Sequence, residues 1–167
     1  MVFICSCKSA IEKTIESLPI CVETQNSNSK VSELIKTCYY QNHIFKSVGI
    51  PDYKGRYSYE YEIFEIKGTD TIKTKNSNFF KNGTKTIEKL INQKLKEEYE
   101  SDLAHPELKK CMAQIDFRYY NIDEFGISFH SRDIMQFNIA YNGVSGACFN
   151  VSGNSVLLQL DSFVIIK

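Results

Sequence analysis

The sequence lacks several features on which a functional assignment usually rests. Twenty basic residues balance twenty acidic ones, so no excess charge favours nucleic acid or an anionic membrane surface. Tryptophan is absent, and no repeat or apolar run long enough to span a membrane occurs. We therefore expect no nucleic-acid partner, and membrane contact only through a lipid anchor.

Catalytic and cofactor motifs are missing as well. Histidine occurs only as His43, His105 and His130, and none lies in an HExxH spacing. The segment GVSGA at residues 143–147 is not a GxSxG nucleophile motif, because its second glycine comes one residue early. The six cysteines include no CxxC pair and no Cys/His cluster with zinc spacing. We expect no cofactor, no metal site and no enzymatic activity.

What the sequence does contain is a long amphipathic segment over residues 84–104. Its apolar positions recur every third or fourth residue: Ile87, Leu90, Ile91, Leu95, Tyr99 and Leu103. Charged residues and Asn92 fill the remaining positions, and Pro106 ends the pattern. We predict an α+β fold, an antiparallel β-sheet with this helix packed on it as a second layer. Residues 19–167 are expected to form one such domain, which the chain length allows.

Alternating apolar residues predict a strand over residues 56–67, followed by a turn at Gly68 and a partner strand over residues 71–75. Apolar parity changes at Phe64 and Ile66, which indicates either a bulge near residue 63 or burial of both faces. One face carries a row of tyrosines: Tyr57, Tyr59 and Tyr61. This row and the glutamates opposing it suit a carbohydrate platform, but packing of aromatic rings within a sheet is the favoured interpretation.

A second alternation predicts a β-hairpin. Its first strand covers residues 113–119, residues 123–126 supply the turn, and Ile127 and Phe129 resume the pattern.

Four segments have less decisive patterns. Residues 31–40 fit a short helix or a strand, and so do residues 155–163. Residues 9–18 fit a short helix or a tether, and residues 147–152 fit a strand that contains Cys148.

The N-terminus resembles a bacterial lipoprotein signal. Ile4-Cys5-Ser6-Cys7 follows the lipobox pattern, with Cys7 as the lipidated residue and residues 1–18 as signal remnant and tether. The apolar run before it is shorter than a signal peptide requires, so the signal would be truncated. This interpretation predicts a periplasmic, outer-membrane-anchored or extracellular protein. The alternative is a buried strand of a cytoplasmic protein.

Export would leave four cysteines in the mature chain: Cys21, Cys38, Cys111 and Cys148. An even number suits two disulfides in an oxidising compartment. Three connectivities are possible. Proximity in sequence favours Cys21 with Cys38, and Cys111 with Cys148 around the predicted hairpin.

One polar cluster is the best candidate for a ligand site. It lies at the end of the predicted hairpin and consists of Asp123, Glu124, His130, Arg132 and Asp133. Acid, base and cation would converge there, although a solvated surface loop is the favoured interpretation.

The second half of the chain resembles a family of uncharacterised extracytoplasmic domains. The pattern is a long amphipathic helix, a strand, DEFGISF at residues 123–129, AYNG at residues 140–143, and a Leu-rich segment at residues 156–160. This family occurs in the lysozyme-sensing anti-sigma factor RsiV and in the deacetylase PdaC, outside its catalytic part. Over residues 84–163 the resemblance implies an α+β, non-enzymatic envelope domain that binds a protein or a glycan. This chain departs from the pattern by its extra cysteines and by having no proline before AYNG.

The function expected from these observations is that of a non-enzymatic binding module of the bacterial cell envelope. Two alternatives remain. One is an immunity or inhibitor protein, for which this size and lack of motifs are typical. The other is a small hydrolase that uses His130 with Asp133 or Glu124.

Overall fold

The first half of the chain builds a large antiparallel sheet. The computed structural model describes residues 18–26, 32–52, 54–80, 83–141, 144, 148 and 152–160. Five strands lie side by side in sequence order: β1 (Ile20–Asn26), β2 (Glu33–Tyr40), β3 (His43–Pro51), β4 (Tyr57–Lys67) and β5 (Asp70–Thr74). Gly68 makes the β4–β5 turn with a φ of 62°, a conformation that glycine adopts without strain.

The structure confirms the strand predictions for β4 and β5 and resolves the parity change within β4. Pairing with β3 runs unbroken from His43 opposite Glu65 to Pro51 opposite Tyr57, so the ladder continues through residue 63 without a bulge. Both faces are instead covered at this end of β4, where Ile63 is buried on one face and Phe64 half-buried on the other.

The sequence patterns of the other three strands of this sheet are less decisive. Of residues 31–40, which fit a helix or a strand, residues 33–40 form β2. The sequence did not predict β1, whose seven residues are all exposed. Nor did it predict β3, in which buried and half-buried residues alternate.

Three helices follow the sheet: α1 (Asn76–Phe80), α2 (Thr84–Ala104) and α3 (Lys109–Met112). Helix α2 begins and ends at the predicted residues, and Ile87, Ile91 and Leu95 of its apolar stripe are buried. Asn92 differs from the expectation. It was assigned to the polar surface, but only 5% of it is exposed.

A smaller sheet completes the fold, with β6 (Gly126–Phe129), β7 (Ile134–Ala140) and β8 (Gly153–Gln159) in sequence order. Of residues 155–163, which fit a strand or a helix, residues 155–159 belong to β8, and residues 161–163 lie outside the described residues. The predicted hairpin is wrong in its first strand, because residues 113–119 lie outside any strand. The hairpin in this region pairs β6 with β7.

Residues 113–115 continue the turns of α3, because their N–H groups donate to the carbonyls of residues 109, 111 and 112. Side chains from α2 then hold the backbone that follows the predicted strand. Asn92 accepts a hydrogen bond from the Tyr120 N–H (2.8 Å) and donates one to the Tyr120 carbonyl (2.8 Å). Glu88 accepts from the Ile122 N–H (2.8 Å). The N–H and carbonyl of Tyr120 and the N–H of Ile122 are therefore satisfied by α2 side chains and not by a neighbouring strand.

The core joins both sheets to the helices. One face of the large sheet carries Cys38, Phe45 and Ile63 and is called the inner face below. Phe45 lies edge-on to Phe79 of α1 and Phe129 of β6, with ring centroids 5.1 and 5.2 Å apart. β6 packs against β3 and β4, and α2 packs against β8. The α+β prediction is confirmed, with the strands divided between two sheets.

Two disulfides staple the fold in the preferred connectivity. Cys21 of β1 is bonded to Cys38 of β2, and Cys111 of α3 is bonded to Cys148. Disulfides persist in oxidising surroundings, so they indicate a compartment other than the cytoplasm.

Several predictions concern residues that the structure does not describe. The lipidation site Cys7 and residues 9–17 of the N-terminal segment lie outside the described residues, and so do residues 149–151 of the strand predicted around Cys148. Within the described part of the chain, no helix is long and apolar enough to cross a membrane.

Candidate functional site

The five residues of the predicted polar cluster fall into two groups. Asp123 and Glu124 precede β6, whereas His130, Arg132 and Asp133 follow it. A four-residue strand is roughly 13 Å long, so the two groups stand at opposite ends of β6.

The acidic pair at the first end supports local structure. Asp123 accepts hydrogen bonds from the Ser77 N–H (2.7 Å) and hydroxyl (2.9 Å), which ties it to the start of α1. Glu124 forms an ion pair with Arg118 and accepts from the Asn121 N–H (2.8 Å). The Arg118 hydrogen bond, followed by that of Asn121, lowers the pKa of Glu124 below its ordinary value.

The second group forms the β6–β7 turn. The Asp133 carboxylate accepts from the Ser131 hydroxyl (2.7 Å), and the Asp133 carbonyl accepts from the Leu160 N–H (2.8 Å). The His130 N–H donates to the Ile134 carbonyl (2.9 Å), and its side chain is exposed. The two members of the predicted hydrolytic pair, His130 and Glu124, are therefore separated by the length of β6.

The tyrosine row of β4 forms a more open site. Tyr57 is 39% exposed and Tyr59 45% exposed, while Tyr61 is half-buried. Successive rings are 6.2 Å apart between centroids, with interplanar angles of 33° and 28°. The three rings therefore make a nearly continuous aromatic strip along the inner face. Glu60 and Glu62 alternate with them on the opposite face, so these carboxylates do not take part in the site.

Glycines allow the rings to lie against the sheet. Gly49 of β3 is paired with Tyr59, and a Cβ at Gly49 would come within 2.8 Å of the Tyr59 ring and 3.0 Å of the Tyr57 ring. A Cβ at Gly126 of β6 would overlap the Tyr61 ring. Both glycines thus leave room for a ring where any other residue would place a side chain.

The small sheet supplies a polar wall beside the rings. Its strands turn Ile127, Phe129 and Phe137 into the core, so alternation brings polar residues to the other face. Gln136 donates to the Asn138 side-chain oxygen (2.9 Å), and Asn138 donates to the Gly126 carbonyl (3.1 Å) and the Ser128 hydroxyl (3.3 Å). The wall is therefore an ordered row of amides and hydroxyls.

Rings and wall enclose two adjoining cavities, together called the tyrosine groove. The larger, of about 640 Å³, extends over Tyr57 towards Asp52 and Arg56. The smaller, of about 330 Å³, extends towards Glu23, Lys36 and His130. Both are lined by Tyr59, Tyr61 and Asn138, so the two cavities meet at these residues. Volumes of this size are typical of ligand sites.

The electrostatics of the tyrosine groove are nearly neutral. Arg56 and Asp52 pair at one end with an N–O distance of 2.6 Å, and Lys36 and Glu23 pair at the other at 3.2 Å. Burial, and to a lesser degree Tyr59, raises the pKa of Tyr61 to about 12, so its hydroxyl stays protonated at neutral pH.

Among the described residues, no group of three or more His, Cys, Asp or Glu side chains could hold a metal ion. The sequence predicted that the tyrosines share one face of a strand, but their exposure to solvent depends on which residues pack against that face.

No protein-family model, curated protein or solved structure matches this chain, so the resemblance over residues 84–163 stays a prediction.

Proposed function

We propose that this chain is a non-enzymatic binding module of the bacterial cell envelope, and that it binds a glycan in the tyrosine groove. The observation that carries the proposal is the exposed row of Tyr57, Tyr59 and Tyr61 beside a row of amide and hydroxyl side chains. A pyranose presents apolar C–H faces and a rim of hydroxyls. Aromatic rings stack on the C–H faces, and amide and hydroxyl side chains form hydrogen bonds with the sugar hydroxyls.

The envelope location rests on two supports. The disulfides require an oxidising compartment, and the lipobox-like segment around Cys7 would attach the chain to a membrane. In protein recovered from bacterial envelopes, Cys7 should carry lipid, and each disulfide should lower the intact mass by two hydrogens. Free thiols at Cys21, Cys38, Cys111 and Cys148 would contradict this location.

The binding role is tested with glycans extracted from bacterial envelopes and immobilised on beads. The beads should retain the oxidised wild-type chain, and Tyr59→Ala should abolish most of that retention because it removes the central ring. Tyr39→Ala is the matched control, since Tyr39 is 46% exposed but belongs to the opposite face of the same sheet. Equal retention of the three proteins would contradict the proposal. Tyr59-dependent retention by envelope proteins instead of glycans would point to a protein ligand.

A further inference from the structure

Resting on the proposed function, we infer that the tyrosine groove takes an uncharged, extended oligosaccharide. The inference excludes a single sugar, an acidic polysaccharide and a cationic one. Three features of the tyrosine groove carry it: its length, its charge balance and the order of its lining.

The length follows from the way in which the two cavities join. Both cavities are lined by Tyr59, Tyr61 and Asn138, and the tyrosine groove extends past these residues in two directions. One direction runs over Tyr57, and the other towards Lys36 between the two sheets. A monosaccharide on Tyr59 would leave both ends empty. A chain of several sugars that follows the tyrosine groove over the three rings and on towards Lys36 would fill both ends.

The charge balance follows from the ion pairs. Asp52 is held by two nitrogens of Arg56, at 2.6 and 2.8 Å. Glu23 and Lys36 neutralise each other at the other end. Glu124, which borders the larger cavity, is paired with Arg118. These carboxylates and cations already have partners, so a charged glycan would lose its hydration in the tyrosine groove without gaining an unpaired opposite charge from them, which is unfavourable.

The lining between the ends is uncharged and ordered. Tyr59 and Tyr61 stack at 28°, and Asn138 is fixed by Gln136, Ser128 and the Gly126 carbonyl. Groups already held in place lose little side-chain entropy when a ligand binds. Such a surface favours repeated, similar contacts along a regular chain of neutral sugars.

Isothermal titration calorimetry with neutral β-linked oligosaccharides, from disaccharide to hexasaccharide, tests the length. Cello- and N-acetylated chito-oligosaccharides are the probes. Affinity for the better series should rise at least about tenfold from disaccharide to tetrasaccharide and then level off, once the tyrosine groove is filled. Affinity that does not change with chain length would overturn the extended occupant.

Charged probes of matched length test the neutrality. Deacetylated chito-oligosaccharides are cationic and oligogalacturonides are anionic, and both should bind at least about tenfold more weakly than the best neutral chain. Tighter binding of either charged series would overturn the inference. It would leave the proposed function intact if Tyr59→Ala still weakened that binding.

Variants connect the measurement to the tyrosine groove. Tyr59→Ala should weaken binding of the best neutral probe by at least about tenfold, Tyr59→Phe by less because the ring remains, and Tyr39→Ala should leave it unchanged. Far-ultraviolet circular dichroism and intact mass check that each variant is folded and oxidised. If Tyr59→Ala changes the binding of no glycan and no envelope protein, the proposed function fails with the inference.

Discussion

The inner face of the large sheet is divided into two halves that differ in what stands opposite them. In the closed half, Cys38, Phe45 and Ile63 are at most 5% exposed, and the Phe45 ring packs against Phe79 of α1 and Phe129 of β6. In the open half, Tyr57 and Tyr59 lie over Gly49 and face the tyrosine groove. Strands β3 and β4 contribute to both halves.

This difference shows how one sheet serves as both core and binding surface. β6 covers the inner face only as far as Gly126, where the Tyr61 ring fills the space above the glycine. Beyond that point the small sheet presents Asn138 and its neighbours instead of apolar residues. The strands beneath the tyrosines are therefore held rigid by the core beside them, which suits a preorganised site.

The largest contrast between the halves is expected from truncating one aromatic ring in each. Phe45→Ala should lower the free energy of unfolding by about 3–5 kcal/mol, because it leaves a cavity among buried rings. Tyr59→Ala should cost about 1 kcal/mol or less, because its ring is partly hydrated. Urea denaturation of both variants measures the difference. Similar losses would mean that the open half belongs to the core.

The disulfides give the next largest effect. Replacing Cys111 and Cys148 by Ser should cost about 4 kcal/mol, and replacing Cys21 and Cys38 about 3 kcal/mol, by the entropy of closing loops of 37 and 17 residues. Thermal denaturation of the two double variants under non-reducing conditions compares them. The opposite order would show that packing of Cys38 in the closed half outweighs loop length.

A smaller difference in stability is expected between removing an amide side chain from the core and removing one from the tyrosine groove. Asn92→Ala should cost about 1–3 kcal/mol, because it leaves the N–H and carbonyl of Tyr120 buried without their partner. Asn138→Ala should cost less, because water in the tyrosine groove can replace its hydrogen bonds. Urea midpoints of the two variants rank them. A larger loss for Asn138→Ala would show that its wall is closed to solvent.

The smallest effect is expected from pH at the edge of the tyrosine groove. Arg118 lowers the pKa of Glu124 in the folded chain below the ordinary 4.5. The stabilisation is therefore present above about pH 4.5 and is lost as pH falls through the folded pKa. Because Glu124 is largely exposed, its loss should stay below about 1 kcal/mol. Wild type should exceed Glu124→Gln in stability near neutral pH, and this difference should shrink as pH falls below about 4.5 and through the folded pKa of Glu124. A stability difference that persists in acid would show that the ion pair of Glu124 with Arg118 is not its cause.

Local patterns predicted α2 and β4, whose apolar side chains recur with a helical period in α2 and alternate over most of β4. Helix α2 follows from its apolar stripe and Pro106, and β4 from twelve residues that include the tyrosine row. The first strand of the predicted hairpin failed although its alternation was equally regular. The backbone directly after it, at Tyr120 and Ile122, bonds to Asn92 and Glu88, which are distant in sequence.

Taken alone, the sequence determined the α+β class, the bounds of α2, the facing of the tyrosines and the favoured disulfide pairing, because periodicity and spacing are local properties of a chain. Tertiary structure decided that the strands form two sheets, that Asn92 is buried and that Asp123 and Glu124 stand apart from His130. It also decided that Tyr57 and Tyr59 remain open while Phe45 is covered. Exposure depends on what packs opposite a face, and that contact is made by residues far away in the chain.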